Sequence, residues 1–355
     1  MDTQNLNKPE LGRLAVEELH SSFLNHFADR GYTIKQSVEL SAPVDKSVRF
    51  IGSHISVLKP YILLNTIPES GICMVQNSLR TRNVSKLFDT GSDPAYGSFF
   101  SSLGALVRPD KLYDLCDSSL QFIRETLPDV DEIRIRINSK DTDLIEACND
   151  LPRVRLVYDE MPETYYEHTI GTKDITGRNF NISVPSVANG SYEDIGNIIV
   201  LEKDAQPLAV ELAVGDITLL KQLKGLDHVL DTYDLVMSDS LDLPVKHKLS
   251  DAIIVCLVLA GEGIIPSARK NQTRLMRSYV KALALYKTVA GISYDELELV
   301  LQDAEVRCLP ISTQAVSKVM SYVIDYDNQC ISSKISNEED IVVEALLKRY
   351  TIDEK

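Results

Sequence analysis

No two cysteines in this sequence stand at C-x-x-C spacing. The six, Cys73, Cys116, Cys148, Cys256, Cys308 and Cys330, are scattered along the chain, which argues against both a zinc site and a disulfide framework and makes reduced thiols the expectation. The six histidines (20, 26, 54, 168, 228 and 247) show no ligand spacing either and read as core or surface residues, so no metal site is expected. Long apolar runs are missing: the longest, Ala252–Ala260, is too short to cross a bilayer. The N-terminal "MDTQNLNKPELGRLAVEELH" lacks the basic-then-apolar order of a secretory signal. A cytoplasmic protein is the expectation. There is no tryptophan, no low-complexity tract and no internal repeat. Positive charge is scarce. With 37 Lys and Arg against 52 Asp and Glu the net charge is −15, which argues against broad, non-specific binding to nucleic acid.

What is present is the composition of a soluble globular protein, 44% apolar and 25% charged, in a chain long enough at 355 residues for two domains with cores. Residues 10–30 form a predicted amphipathic helix ending at Gly31. "YTIKQSVEL" and "SVRFIGSHISVL" read as strands or strand edges. "GICMVQNSLRTRN" is a strand entering a polar loop, and "SDPAYGSFFSSLGALV" returns from it, so a hairpin about a long loop is predicted. Residues 111–127 and 142–150 read as helices. "EIRIRIN", "RVRLVYDE", "RNFNISV" and "NIIVLEK" read as strands, and "DITLLKQLKGLDHVL" as a helix interrupted by Gly225. From Pro244 onward nearly everything reads as helix: 245–261, 267–290, 294–305, 311–324 and 338–350. The domains are therefore placed at 1–243, mixed α+β, and 244–355, all-α.

The most informative stretch is Gly261–Lys287, "GEGIIPSARKNQTRLMRSYVKALALYK". A Gly-x-Gly turn leads into a Pro-Ser helix start. Lys270, Arg274, Arg277 and Lys281 then follow at spacings of four, three and four, which puts them on one helical face. Between Lys246 and Lys287 there are eight Lys or Arg against Asp251 and Glu262. On an acidic chain, such a stripe is what a surface meeting phosphate requires. A solvated helix face is the plain alternative.

The order of elements resembles the catalytic core and following helical domain of alanyl-tRNA synthetase, a class II enzyme, from about Leu19 to about Lys287. "FLNHFADRGYTIKQSVEL" is similar to the family's opening helix and strand, and "DKSVRFIGSHISVLKPYIL" to its motif 1 region. "MVQNSLRTRNVSKLFDTG" resembles the first strand and loop of motif 2, and "SFFSSLGALV" the returning strand. "NIIVLEK" and "DITLLKQL" match the penultimate strand and motif 3 helix. "HKLSDAIIVCLVLAGEGIIPSARKNQTRLMR" resembles the start of the tRNA-recognising domain. The resemblance implies an α+β fold with an antiparallel sheet flanked by helices, then an all-α domain. It implies ATP with Mg, a small amino acid and a tRNA acceptor stem as ligands, and is compatible with a homodimer.

Residue by residue, the resemblance makes Arg80 the motif 2 arginine, bridging the α-phosphate and the substrate carboxylate, where transition-state charge develops. Arg82 and Lys86 share its loop and are within reach of outer phosphates or a tRNA end. Phe99 or Phe100, one of the two, would stack on adenine. The chain also departs from the pattern. Ser101 stands where the family has an acid. Lys221, or Leu220 in a register shifted by one, replaces the motif 3 arginine; a lysine keeps the charge without the planar fork. The amine-binding acid falls on Val214 or Ala213, with Asp216 close by as a substitute. Tyr166 takes the place of the pocket tryptophan, and Lys270 that of the asparagine that reads the acceptor stem.

These residues lead to a synthetase-like ligase that forms an aminoacyl-adenylate and passes the acyl group to tRNA or another acceptor. The alternatives are an inactive paralogue serving as a tRNA-binding or protein-interaction module, and a structural partner of a true synthetase.

Overall fold

The computed structural model describes residues 8–89, 92–158, 161–237, 241–269, 271–309 and 313–332, with side chains from residue 15 except at 163 and 330–332. The chain folds into two compact units. One takes Glu17–Leu79 and Phe100–Thr232. The other takes the chain up to Val16, Arg80–Phe99 and the chain from Tyr233 onward. The sequence places its boundary at 243. In the structure the main stretch of the second unit begins at Tyr233 rather than 244, and that unit also claims the motif 2-like loop.

The first unit is a nine-stranded sheet with helices. Its strands are β1 (Thr33–Ile34), β2 (Ile72–Leu79), β3 (Phe99–Val107), β4 (Ile133–Ile137), β5 (Val154–Tyr158), β6 (Glu167–Thr169), β7 (Thr176–Pro185), β8 (Tyr192–Lys203) and β9 (Gln206–Gly215). They run in the order β1-β2-β3-β9-β8-β7-β4-β5, with β6 paired to β7. The central ladders β3–β9, β9–β8, β8–β7 and β7–β4 are antiparallel. Parallel pairs, β1–β2 and β4–β5, occupy the two edges. The predicted α+β class with an antiparallel sheet therefore holds, with a parallel pair at each margin.

Helices α1 (Lys8–Ala28), α2 (Ile55–Leu63), α3 (Leu112–Thr126), α4 (Thr142–Asn149) and α5 (Asp216–Lys224) accompany the sheet. Side chains alternate across a strand. Ile72 and Met74 of β2 join Ile55, Leu58 and Ile62 of α2 in one aliphatic core. Phe23 and Phe27 of α1 meet at a tilt, and Phe23 packs edge to face on Phe122 of α3 at 5.2 Å. Helix α2 corrects one expectation. "SVRFIGSHISVL" reads as a strand because it is β-branched, yet its second half turns helical at Ile55, where burial on the sheet outweighs propensity.

His54, just before α2, explains the glycine of "FFSSLG". A Cβ on Gly104 would lie 2.1 Å from the His54 ring. The imidazole lies against the strand backbone because residue 104 has no side chain. Its Nδ1 is 2.8 Å from Ser102 Oγ and its Nε2 is 3.0 Å from Glu211 of β9.

The second unit contains α6 (Leu243–Gly261), α7 (Asn271–Val289), α8 (Tyr294–Arg307) and α9 (Val316–Ser332). The helices predicted over 245–261, 267–290 and 294–305 fall on the first three within a few residues, whereas the one predicted over 311–324 starts five residues later and runs eight further, as α9. The predicted helix over 338–350 lies outside the described residues. Helix α8 starts on a capping box of Ser293 and Glu296. Lys287 of α7 is 3.3 Å from Asp327 of α9. The long loop is stitched into this unit: Tyr286 of α7 donates to the Leu87 carbonyl at 2.5 Å, and Tyr279 donates to Ser98 Oγ at 2.7 Å. None of the five described cysteines forms a disulfide. Among the described residues no helix is long and apolar enough to cross a membrane.

Candidate functional site

In the sheet unit, the residue standing where the resemblance expects an acid is tied into the fold. Ser101 is buried. Its Oγ donates to Asn77 Oδ1 at 3.1 Å, and its N–H donates to Asp216 Oδ1 at 2.8 Å. Asp216 opens α5, where a carboxylate meets the positive end of the helix. Its Oδ1 also accepts from Ile217 N at 2.7 Å, and its Oδ2 is 2.9 Å from His20 Nε2. A carboxylate engaged by three internal donors is a structural tie, and it has little left to offer a substrate amine.

The other sheet residues are also committed. Lys221 is buried and its Nζ is 2.5 Å from Glu193. Glu193 takes a second hydrogen bond from Gln222 at 2.8 Å. The cation standing for the motif 3 arginine is thus neutralised from β8. Tyr166 is 2% exposed. Its carbonyl accepts from both Asn179 nitrogens, at 3.1 and 2.7 Å, and its ring meets Tyr165 at 5.1 Å. The sequence leads to one open aromatic face at 99 or 100. Both are buried, at 4% and 6%, so neither presents an open ring face. The cause is the strand itself, since every residue of β3 is buried.

Sequence reasoning missed the face of the sheet that stays half open. In register across β9, β8, β7 and β4, Ala213 pairs with Asn197, Asn197 with Asn181, and Asn181 with Arg136. All four are half-buried. Asp194 gathers Arg136 at 2.9 Å, Asn181 at 3.2 Å and Ser183 at 2.5 Å. The stretch "EDIGNIIV" carries no alternation that signals such a face, because β8 shifts register against β7 there. Elsewhere on this unit a cleft of about 810 Å³ opens among Ile62, Leu63, Arg108, Thr172, Lys203 and Leu208. No residue singled out from the sequence lines it.

In the helical unit, Arg80 sits at the start of a 3-10 turn over Thr81–Lys86. Its N–H donates to the Ser98 carbonyl at 2.8 Å, and its Nη1 to the Gly97 carbonyl at 3.2 Å. The guanidinium lies 5.4 Å from the Tyr96 ring centre and the residue is half-buried. Arg82 and Lys86 are exposed. The loop base is therefore fixed while its cations reach solvent. Beside it Asp251 of α6 is wholly buried and accepts from Ser98 N at 2.6 Å and Ser98 Oγ at 2.5 Å. Burial pushes this carboxyl up to about 6, against the opposing pull of the Ser98 bonds and the Arg80 charge. Lys248, also on α6, is buried, and its Nζ has no hydrogen-bond partner among the described residues. Burial holds its ammonium below the usual lysine range.

The cationic stripe is not a uniform face. Arg274 is exposed and Arg277 half-buried. Lys281 is 1% exposed, with its Nζ 5.9 Å from the Tyr326 ring. This corrects the expectation of four exposed cations. The stripe turns inward because α7 is packed by both α6 and α9. Lys270 lies outside the described residues.

Comparison with known proteins gives the same relatives as the motifs. An alanine–tRNA ligase of Thermoanaerobacter sp. (strain X514) is 27% identical over 166 residues, 45% of this chain and 18% of the relative. Another, from Lachnoclostridium phytofermentans, is 22% identical over 320 residues, 78% of this chain and 36% of the relative. Over these stretches the chain is similar to alanine–tRNA ligases. It spans well under half the length of these curated relatives. Among solved structures it is similar to an asparaginyl-tRNA synthetase of Entamoeba histolytica in complex with asparaginyl-adenylate, at 13% identity and a TM-score of 0.39, covering 63% of this chain and 66% of that one. No family model matches the chain.

Proposed function

We propose that this synthetase-like protein binds ATP and a small amino acid and joins them as an aminoacyl-adenylate. The substrate carboxylate attacks the α-phosphorus and the bond to pyrophosphate breaks. Arg80 stabilises the charge that gathers on the phosphoryl oxygens. The observation that carries this reading is the Arg80 geometry: its backbone is pinned to Ser98 and its guanidinium is steered by the Gly97 carbonyl and the Tyr96 ring. That is a preorganised cation on a motif 2-like loop. Because Asp216 is taken up by internal donors, the substrate amine finds its partner elsewhere or is absent.

The residues around Ser101 do not fit a resident magnesium. Asp216 already holds three donors, and Mg²⁺ needs free hard oxygens in octahedral array. Magnesium enters this reading as the counter-ion of ATP. The acceptor of the acyl group is a tRNA end or another molecule, in the cytoplasm, and Arg274 and Arg277 contribute phosphate contacts on α7.

A second reading has its own support. Lys221 bound to Glu193 and Asp216 bound to Ser101 leave two catalytic positions spent within the fold, as in an inactive paralogue that binds RNA or protein. Pyrophosphate exchange with each amino acid in turn separates the two. Exchange with at least one supports the ligase; none with any, in protein that binds tRNA, supports the binding module.

A further inference from the structure

We propose that Asp251 is a positioning residue for Arg80, so that helix α6 dictates where the loop's arginine lies. The inference rests on the role given to Arg80 above.

Every polar atom of Ser98 is used. Its N–H and O–H both go to Asp251, at 2.6 and 2.5 Å. Its carbonyl takes the Arg80 N–H at 2.8 Å. Its Oγ accepts from Tyr279 at 2.7 Å and from Asn83 Nδ2 at 3.0 Å. Asn83 also donates to the Tyr96 carbonyl at 2.8 Å. With two donors aimed at Oγ, its own proton has one direction left, toward Asp251. One carboxylate on α6 therefore fixes both the peptide that holds Arg80 and the hydroxyl that holds the 3-10 turn.

The choice of a carboxylate is costly. The charged and titratable groups around it are Arg80 from the loop, Tyr279 from α7 and Cys256 on α6 itself, and of these only Arg80 favours its ionised form. A wholly buried acid with one favourable charge is destabilising relative to a neutral isostere. Such a group persists where position matters more than stability. An asparagine in its place accepts one of the Ser98 hydrogen bonds but presents its amide nitrogen to the other.

The test uses the full chain and two readouts. In amide hydrogen exchange, Asp251→Ala is expected to speed exchange at Arg80 and Ser98 at least tenfold, with Asp251→Asn intermediate and the β8 amides unchanged. In ATP binding, Asp251→Ala is expected to weaken affinity in the wild-type background and to add nothing in an Arg80→Ala background, because the loss passes through the arginine. Additive losses, or unchanged exchange at Arg80 and Ser98 in either folded variant, overturn the inference. If the wild type binds no ATP, the role of Arg80 fails, and the exchange measurement still decides the positioning claim.

Discussion

The Asp216 carboxylate holds the Ser101 amide at 2.8 Å. Serine stands where the resemblance expects an acid, and an acid from the start of α5 reaches in beside it. Removing it in Asp216→Ala leaves the Ser101 and Ile217 amides and His20 without their acceptor. The expected loss is about 2 kcal/mol in urea denaturation, the scale of a lost cap and a stranded buried donor. If Asp216 instead anchored a substrate amine, the variant would keep its stability and lose ligand affinity.

A methyl group on residue 104 has nowhere to go. Gly104→Ala is expected to destabilise the sheet unit by about 3 kcal/mol, the upper range for overpacking, since the His54 ring is itself fixed by Ser102 and Glu211. A thermal midpoint within a degree of the wild type contradicts this.

Most helices were legible from periodicity alone, and α8 carries its capping box in plain sequence. Strand β9 was not legible. Half of "QPLAVELAVG" is Ala, Leu or Glu, which favour helix, and it becomes a strand between β3 and β8. The turn before it, Asp204-Ala205, has φ of 51° and 59°, a left-handed pair without the glycine that usually announces one. The partners of Asp216, His54 and Asp251 lie far away in sequence, so no local pattern reveals them. The inward turn of Lys281 escaped for the same reason: spacing gives a face, and only packing says what covers it.

Asp251 makes stability depend on pH in a defined direction. Its folded carboxyl is raised from 3.8 to about 6, so between those values the folded state binds more protons than the unfolded one. Stability from this group therefore rises as pH falls from 7 through 6 toward 4. Relative to Asp251→Asn, the wild type is expected to gain roughly 3 kcal/mol over that window, at about 1.4 kcal/mol per pH unit. Parallel pH–stability curves for the two proteins contradict it.

On α7, charge reversal separates a surface cation from a buried one. Arg274→Glu with Arg277→Glu is expected to leave the fold intact and weaken every RNA alike. The dependence of affinity on salt becomes shallower by about 0.7–0.9 log units for each phosphate that no longer meets a cation. Lys281→Glu is expected to destabilise α7 first, because that side chain is inside. Filter binding against a salt series, read beside circular dichroism, checks both.

Everything proposed for the chemistry of this protein turns on Arg80 stabilising charge on a transferring phosphoryl group. The decisive measurement is amino-acid-dependent exchange of labelled pyrophosphate into ATP, in wild type and in Arg80→Ala. Exchange with at least one small amino acid is expected, falling at least about a hundredfold in the variant, the usual effect of removing one preorganised donor. Exchange that is undiminished in a folded Arg80→Ala protein contradicts that role.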